Sequence, residues 1–384
     1  MRELKERADS VLRGAVAESA LAGAAAIAFN ANGVSYEGAA GVRALGAAAA
    51  MDADTVCWIA SMTKPLTSTA AVQLVERGAL ELDAPASEIV PALGEIQVFE
   101  GFDALGAPRL RAPKRAITLR HLLTHTSGLG YELFSDDVVK LQAALGLPGL
   151  GEGKLASLTA PLLVDPGERW EYGVSTDWVG ALVEAASGMS LGAYLRTHIF
   201  EPLAMTHSGF AITADMRARL AGMAVRTPDG GLAAFPFETA PGEFESGGGG
   251  LYSTARDYGR FVQAMLAGGR AIVGPKGMAL LSQNQIGALR VTPLKTATPL
   301  SRNAEIFPGL AKAWSFAFQI NLEPAPTGRP AGGLMWAGLS NCYFWIDQVC
   351  GLGGVVMAQL LPFADPRAMG VWQDFETAVY ASSA

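Results

Sequence analysis

Strand-like patterns sit at the two ends of this chain and helical periodicity fills its middle, and that distribution limits the fold more than any other feature of the sequence. Residues 23–29 and 34–41 read as two strands joined by the polar turn Asn30-Ala31-Asn32-Gly33, a hairpin signal. Residues 315–321, 333–336, 342–347 and 353–361 carry strand patterns toward the other end. Helical stretches at 64–77, 118–124, 178–186 and 191–199 lie between them, punctuated by Gly and Pro. A charged amphipathic helix is expected over 1–13, and a last helix over 366–380. These elements imply an α/β fold of the α+β type: a largely antiparallel sheet formed from both chain ends and flanked by helices, with a mostly helical subdomain inserted. The expected division is one unit over 1–384, with an α/β part at about 1–82 and 245–384 and a helical part at about 83–244. Residues 292–308, with three prolines and little apolar periodicity, read as a flexible segment.

Charge and cysteine usage narrow the function. The formal net charge is −7, which argues against nucleic acid or an anionic membrane as the main partner. Cys57, Cys342 and Cys350 are too few and too scattered for a disulfide framework or a zinc site. The apolar residues 21–29 come late and end in a turn, so they resemble a hairpin strand rather than a signal peptide. No apolar run reaches the roughly 20 residues that span a bilayer. A cytoplasmic protein is expected, with its oligomeric state left open.

Ser61-Met62-Thr63-Lys64 is an S-x-x-K tetrad. Three residues on a helix is about 60° short of a full turn, so both side chains share one face. A helix start adds free N–H groups and a positive dipole end, which favour developing negative charge. Lysine is useful there if its amine can be neutral and accept the serine proton. Alone, the tetrad also fits an N-cap serine followed by a solvated lysine. Two further elements bear on the choice: Tyr172 in Trp170-Glu171-Tyr172-Gly173-Val174, and Trp336-Ala337-Gly338 ahead of the strand at 342–347.

With these elements the segment Trp58-Ile59-Ala60-Ser61-Met62-Thr63-Lys64-Pro65 resembles the nucleophile segment of class C β-lactamases, DD-peptidases and family VIII carboxylesterases, within the penicillin-recognising superfamily. Leu122-Leu123-Thr124-His125-Thr126-Ser127-Gly128-Leu129, Glu201-Pro202-Leu203-Ala204-Met205 and Gly247-Gly248-Gly249-Gly250-Leu251-Tyr252-Ser253-Thr254 are similar to stretches of that group, in the same order, over about residues 20–360. The resemblance implies a β-lactamase/transpeptidase-like fold and an acyl-serine intermediate on Ser61. Lys64 and Tyr172 would share proton transfer, and which of them takes the serine proton is left open. The backbone N–H groups of Ser61 and Leu339 would form the oxyanion hole. No cofactor and no metal is implied.

Two departures separate this chain from the lactamases. Val174 stands where they carry the Asn of Y-x-N, and Trp336-Ala337-Gly338 stands where they carry Lys-Thr-Gly or Lys-Ser-Gly. Family VIII carboxylesterases resemble the chain at both places. Trp336, Ala337, Gly338 and Val174 are therefore expected to shape the pocket of a serine carboxylesterase for short to medium uncharged esters. A β-lactamase, D-amino-acid peptidase, amidase or transesterase on the same site is the first alternative, and a non-catalytic binding module the second. Lys295-Thr296-Ala297 ends without glycine between Pro293 and Pro299, so it is not the missing triad. Gly188-Met189-Ser190-Leu191-Gly192 follows a helix, so Gly188 reads as a C-cap and Ser190 as an N-cap rather than a nucleophile elbow. His121 and His125, four apart, read as structural histidines, and the glycines at 247–250 as a place of tight packing near the site.

Overall fold

The computed structural model describes residues 2–239, 242–269 and 271–383. Met1, which the sequence placed in the first helix, lies outside them. Seven strands form one antiparallel sheet in the order Gly33–Gly41, Gly23–Asn30, Leu352–Met357, Cys342–Asp347, Leu334–Gly338, Gln319–Asn321, Lys312–Trp314. The ends of the chain meet at its second and third strands, where Ile27 pairs with Val355. Successive side chains of a strand point to opposite faces, and Gly23–Asn30 uses both. Ala25, Ile27 and Phe29 enter the main core, while Ala24, Ala26 and Ala28 enter a second one. The second core is closed by the helices Arg2–Ala17 and Pro366–Ala381, which pack on each other. Helix Ala255–Leu266 covers the opposite face, against Leu352–Met357 and Gly23–Asn30.

Helix Lys64–Glu76 lies deep in the main core, buried from Lys64 to Leu74. Several of its polar side chains find internal partners, as burial favours: Thr69 Oγ1 donates to Pro65 O, Thr67 Oγ1 to Gly247 O and Gln73 Nε2 to Ile272 O. It packs against helix Ser175–Ser187. No helix among the described residues is long and apolar enough to cross a membrane.

Local chemistry moves three boundaries. The strand read at 315–321 shortens to Gln319–Asn321, because Ser315 Oγ accepts from Ala317 N and Phe318 N and folds a turn that joins it to a preceding strand, Lys312–Trp314. The strand read at 353–361 leaves the main sheet at Met357. Leu360–Leu361 pairs instead with Met223–Arg226 in a smaller sheet. Residues 292–308 form a bonded strap rather than a free segment. Leu294 and Ala304 exchange both backbone hydrogen bonds, Thr296 N donates to Asn303 Oδ1, and Arg302 N donates to Phe363 O. Lys295-Thr296-Ala297 lies in this strap and in no strand.

Candidate active site

The short strand Cys57–Trp58 delivers the chain to Ser61. Trp58 is fixed from three sides: its Nε1 donates to Gly249 O, its N to Gln359 Oε1, and Ser340 Oγ donates to its carbonyl. Ala60 follows at φ +43°, in the left-handed region that costs a residue with a side chain. Ser61 then lies in the tight turn Ala60–Thr63, and the α-helix begins at Lys64. A 3₁₀ turn has three residues per turn, so positions three apart eclipse. The tetrad spacing thus aligns Ser61 with Lys64 better than an α-helix would.

Ser61 is half-buried and Lys64 is 1% exposed. Lys64 Nζ lies 3.1 Å from Ser61 Oγ, 3.0 Å from the Tyr131 hydroxyl and 2.7 Å from Gly248 O. It also faces the ring of Tyr172, 4.8 Å from the centroid. The Tyr172 hydroxyl accepts from Trp336 Nε1 at 3.1 Å, which joins the two expected elements directly. Tyr131 is the residue that sequence reasoning missed. It lies in a Gly-Leu-Gly-Tyr loop without periodicity, and only its closeness to Leu122–Leu129 of the superfamily stretch pointed that way.

Charges around Lys64 are few and buried. Asp177 Oδ1 accepts from Ser246 Oγ at 2.6 Å and from Gly248 N at 3.0 Å, while its Oδ2 has no partner among the described residues. Burial raises the Asp177 carboxyl above its ordinary value, with the Lys64 charge pulling against it. Burial, and next the charge of Asp177, push the Tyr131 phenol well above its usual range, so it stays protonated. His125 is held neutral by burial and then by Lys64. Its ring packs 4.9 Å from Tyr172 and 5.3 Å from Trp314. His121 instead closes the capping box of its own helix, where Thr118 N donates to its Nδ1.

The other expected residues divide. A Cβ on Gly338 would lie 2.3 Å from Ile59 O, so this glycine lets the strand Leu334–Gly338 pass against the Ser61 turn. Leu339, next in the chain, is half-buried and packs on the cluster of Trp58 and Ala60. Trp336 sits in the main core with Tyr172, whereas Ala337 belongs to the second core. Val174 is buried in the main core and offers no polar group. Ser190 caps helix Leu191–Leu195, accepting from Ala193 N, and Gly188 ends the preceding helix in the left-handed conformation. All three cysteines are free.

The chain belongs to the β-lactamase family, whose model matches residues 8–378. It is similar to monacolin J acid methylbutanoyltransferase of Aspergillus terreus, 33% identical over 344 residues, or 86% of this chain and 83% of that protein. It is similar to esterase EstB of Burkholderia gladioli, 30% identical over 383 residues, or 92% of this chain and 90% of the esterase. Among solved structures, unliganded selenomethionyl simvastatin synthase from Aspergillus terreus matches with a TM-score of 0.86 at 31% identity, covering 98% of this chain and 97% of that one. Family and relatives support an acyl-transferring serine enzyme.

Proposed function

We propose that the chain is a serine carboxylesterase of the family VIII kind, hydrolysing short to medium uncharged carboxylic esters through an acyl-serine at Ser61. The observation that carries this reading is the buried Lys64 amine 3.1 Å from Ser61 Oγ, with its other neighbours already placed. The step requires Lys64 as the free amine, and its Nζ, 2.7 Å from Gly248 O and 3.0 Å from the Tyr131 hydroxyl, lies 3.1 Å from Ser61 Oγ, within reach of the serine proton. Ser61 Oγ attacks the ester carbonyl carbon as its proton passes to Lys64 Nζ. The ammonium so formed faces the Tyr172 ring, 4.8 Å from its centroid, and a charged Asp177 nearby would also favour the cation. The carbonyl oxygen becomes an oxyanion between the N–H groups of Ser61 and Leu339. Collapse breaks the bond to the alcohol oxygen, which leaves with the proton held by Lys64. Tyr172 shares this proton transfer: its hydroxyl accepts from Trp336, and its own hydrogen has no acceptor among the described residues. Water repeats the sequence on the acyl-serine and releases the acid.

Substrate class follows from Trp336 and Val174. A β-lactam carboxylate would lack the charge-assisted contact a lysine gives, roughly 1.5–3 kcal/mol, or about 10- to 150-fold. Tryptophan offers a large apolar surface instead. Transfer to an alcohol in place of water is a second reading, which the methylbutanoyltransferase relative favours. A panel of p-nitrophenyl esters of rising chain length, beside a chromogenic cephalosporin and with an added alcohol acceptor, tests both. Esters should be turned over far better than the cephalosporin, and Ser61→Ala should abolish turnover. A kcat/KM for the cephalosporin equal to that of the best ester would overturn the ester assignment.

A further inference from the structure

The strand Leu334–Gly338 is paired on its outer side only at Leu334 and Met335, so Trp336–Gly338 runs free there among the described residues. A cavity lies at this free edge. Trp170 and Trp336 bound it on the active-site side, and Leu294 and Ile306 of the strap, Val291 just before it, and Phe363 supply further apolar wall. It has room for about one water molecule (≈ 20 Å³). Trp336 connects it to the reaction centre through Tyr172, whose ring lies against Lys64.

Two buried polar side chains line this space, beside the less buried Glu305 and Thr292. Gln319 is 3% exposed and lines the cavity, and no hydrogen bond holds its amide among the described residues, although the amide is not sealed off from the cavity space. An amide facing such a cavity keeps its hydrogen-bonding capacity for a water or a ligand that enters it. Lys312 is equally buried. Its Nζ donates to Leu310 O at 2.9 Å and to Glu305 Oε1 at 3.3 Å, which leaves one ammonium hydrogen without a protein acceptor. Glu305 also lines the cavity and balances the lysine charge. A carboxylate placed there would meet Glu305 as well as Lys312, whereas a neutral oxygen accepts from both Gln319 and Lys312 without opposing charge.

The geometry points to a specificity subsite at this edge, in which Gln319 and Lys312 bind a neutral hydrogen-bonding oxygen, a ketone or hydroxyl, carried by an otherwise apolar arm of the substrate. The inference rests on the ester-hydrolysis reading and adds to it the chemistry of the group beyond the ester. The oxygen takes the place of the one water the cavity admits, and the arm lies along Trp336 and Leu294. Gln319 is thereby a specificity-determining residue that takes no part in the acyl transfer.

Matched substrates test it. One pair, p-nitrophenyl hexanoate and p-nitrophenyl 5-oxohexanoate, places the oxygen on the acyl side. A second, pentyl acetate and 4-oxopentyl acetate, places it on the alcohol side, and an adipate monoester supplies a carboxylate. The oxygenated member of one pair should have a kcat/KM about five- to tenfold above its plain partner, the scale of one hydrogen bond, and the adipate ester should show no gain. In Gln319→Met, similar in volume, the ratio should fall to about one. Melting curves check that the variant folds. If it does not, Leu294→Phe narrows the cavity from the strap and should abolish the same preference. Ratios of one or below in both pairs, a preference for the adipate ester, or a ratio unchanged by the substitution would each overturn the subsite while leaving the esterase reading intact. Failure of every ester to show Ser61-dependent turnover would instead remove the esterase reading and the subsite with it.

Discussion

Gly248→Ala tests how tightly Lys64 is held. The new Cβ would lie 2.4 Å from Asp177 Oδ2 and 2.9 Å from the Tyr131 hydroxyl. Neither neighbour is the free end of a mobile chain. Asp177 is 2% exposed and bonded to Ser246 and to Gly248 itself, and Tyr131 is bonded to Lys64. Ordinary contact begins near 3.4 Å, so residue 248 and its carbonyl must retreat by about 1 Å. That carbonyl is the acceptor 2.7 Å from Lys64 Nζ. The residue is not in the left-handed region, so the effect is steric rather than conformational. Overpacking of this kind costs about 1–3 kcal/mol of stability, and a displacement of about 1 Å at a catalytic group costs about 100-fold in rate. We expect kcat on p-nitrophenyl butyrate to fall by about 100-fold, KM to change little, and the melting temperature to drop by a few degrees. A variant with kcat within twofold of wild type would refute the argument that Gly248 O positions Lys64.

Further expectations concern single side chains. Lys64→Arg should be almost inactive in ester turnover at any accessible pH, because a guanidinium stays protonated and cannot receive the serine proton. Ser190→Ala should lose about 1 kcal/mol in denaturant melts through its helix cap and keep its esterase rate. Asp165 is held well below the usual carboxylate range, first by Arg111 and then by Lys114 N. Its stabilising contribution is therefore complete above the unfolded value near 4 and is lost as pH falls through the folded one. The melting-temperature advantage of wild type over Asp165→Asn should accordingly be full at pH 7 and shrink below pH 4.

Local chemistry made part of this molecule legible in advance. Strand Cys342–Asp347 is a short continuous apolar run buried on both faces, and helix Ser175–Ser187 follows a period-3.6 pattern, so both could be read from local sequence. The Ser61–Lys64 pair was visible because three-residue spacing aligns side chains on any right-handed helical turn. The Tyr172–Trp336 hydrogen bond spans 164 positions and could be placed only through the resemblance. Tyr131 stayed hidden because its loop position says nothing about Lys64 until the fold closes. The strap at 292–308 was misread as flexible, since its order comes from Leu294–Ala304 pairing and from Phe363 rather than from its own composition. Gln319 gave no signal either: one polar residue in an apolar strand reads the same whether it faces solvent or an enclosed cavity.

In the proposed mechanism Ser61 carries the acyl group. Intact-mass spectra after brief exposure to a slow p-nitrophenyl ester or a fluorophosphonate, followed by peptide mapping, measure this directly. One adduct of the expected mass should appear on the peptide containing Ser61, and none on Ser61→Ala. An adduct on the Ser190 peptide, or full labelling of the Ser61→Ala protein, would contradict it.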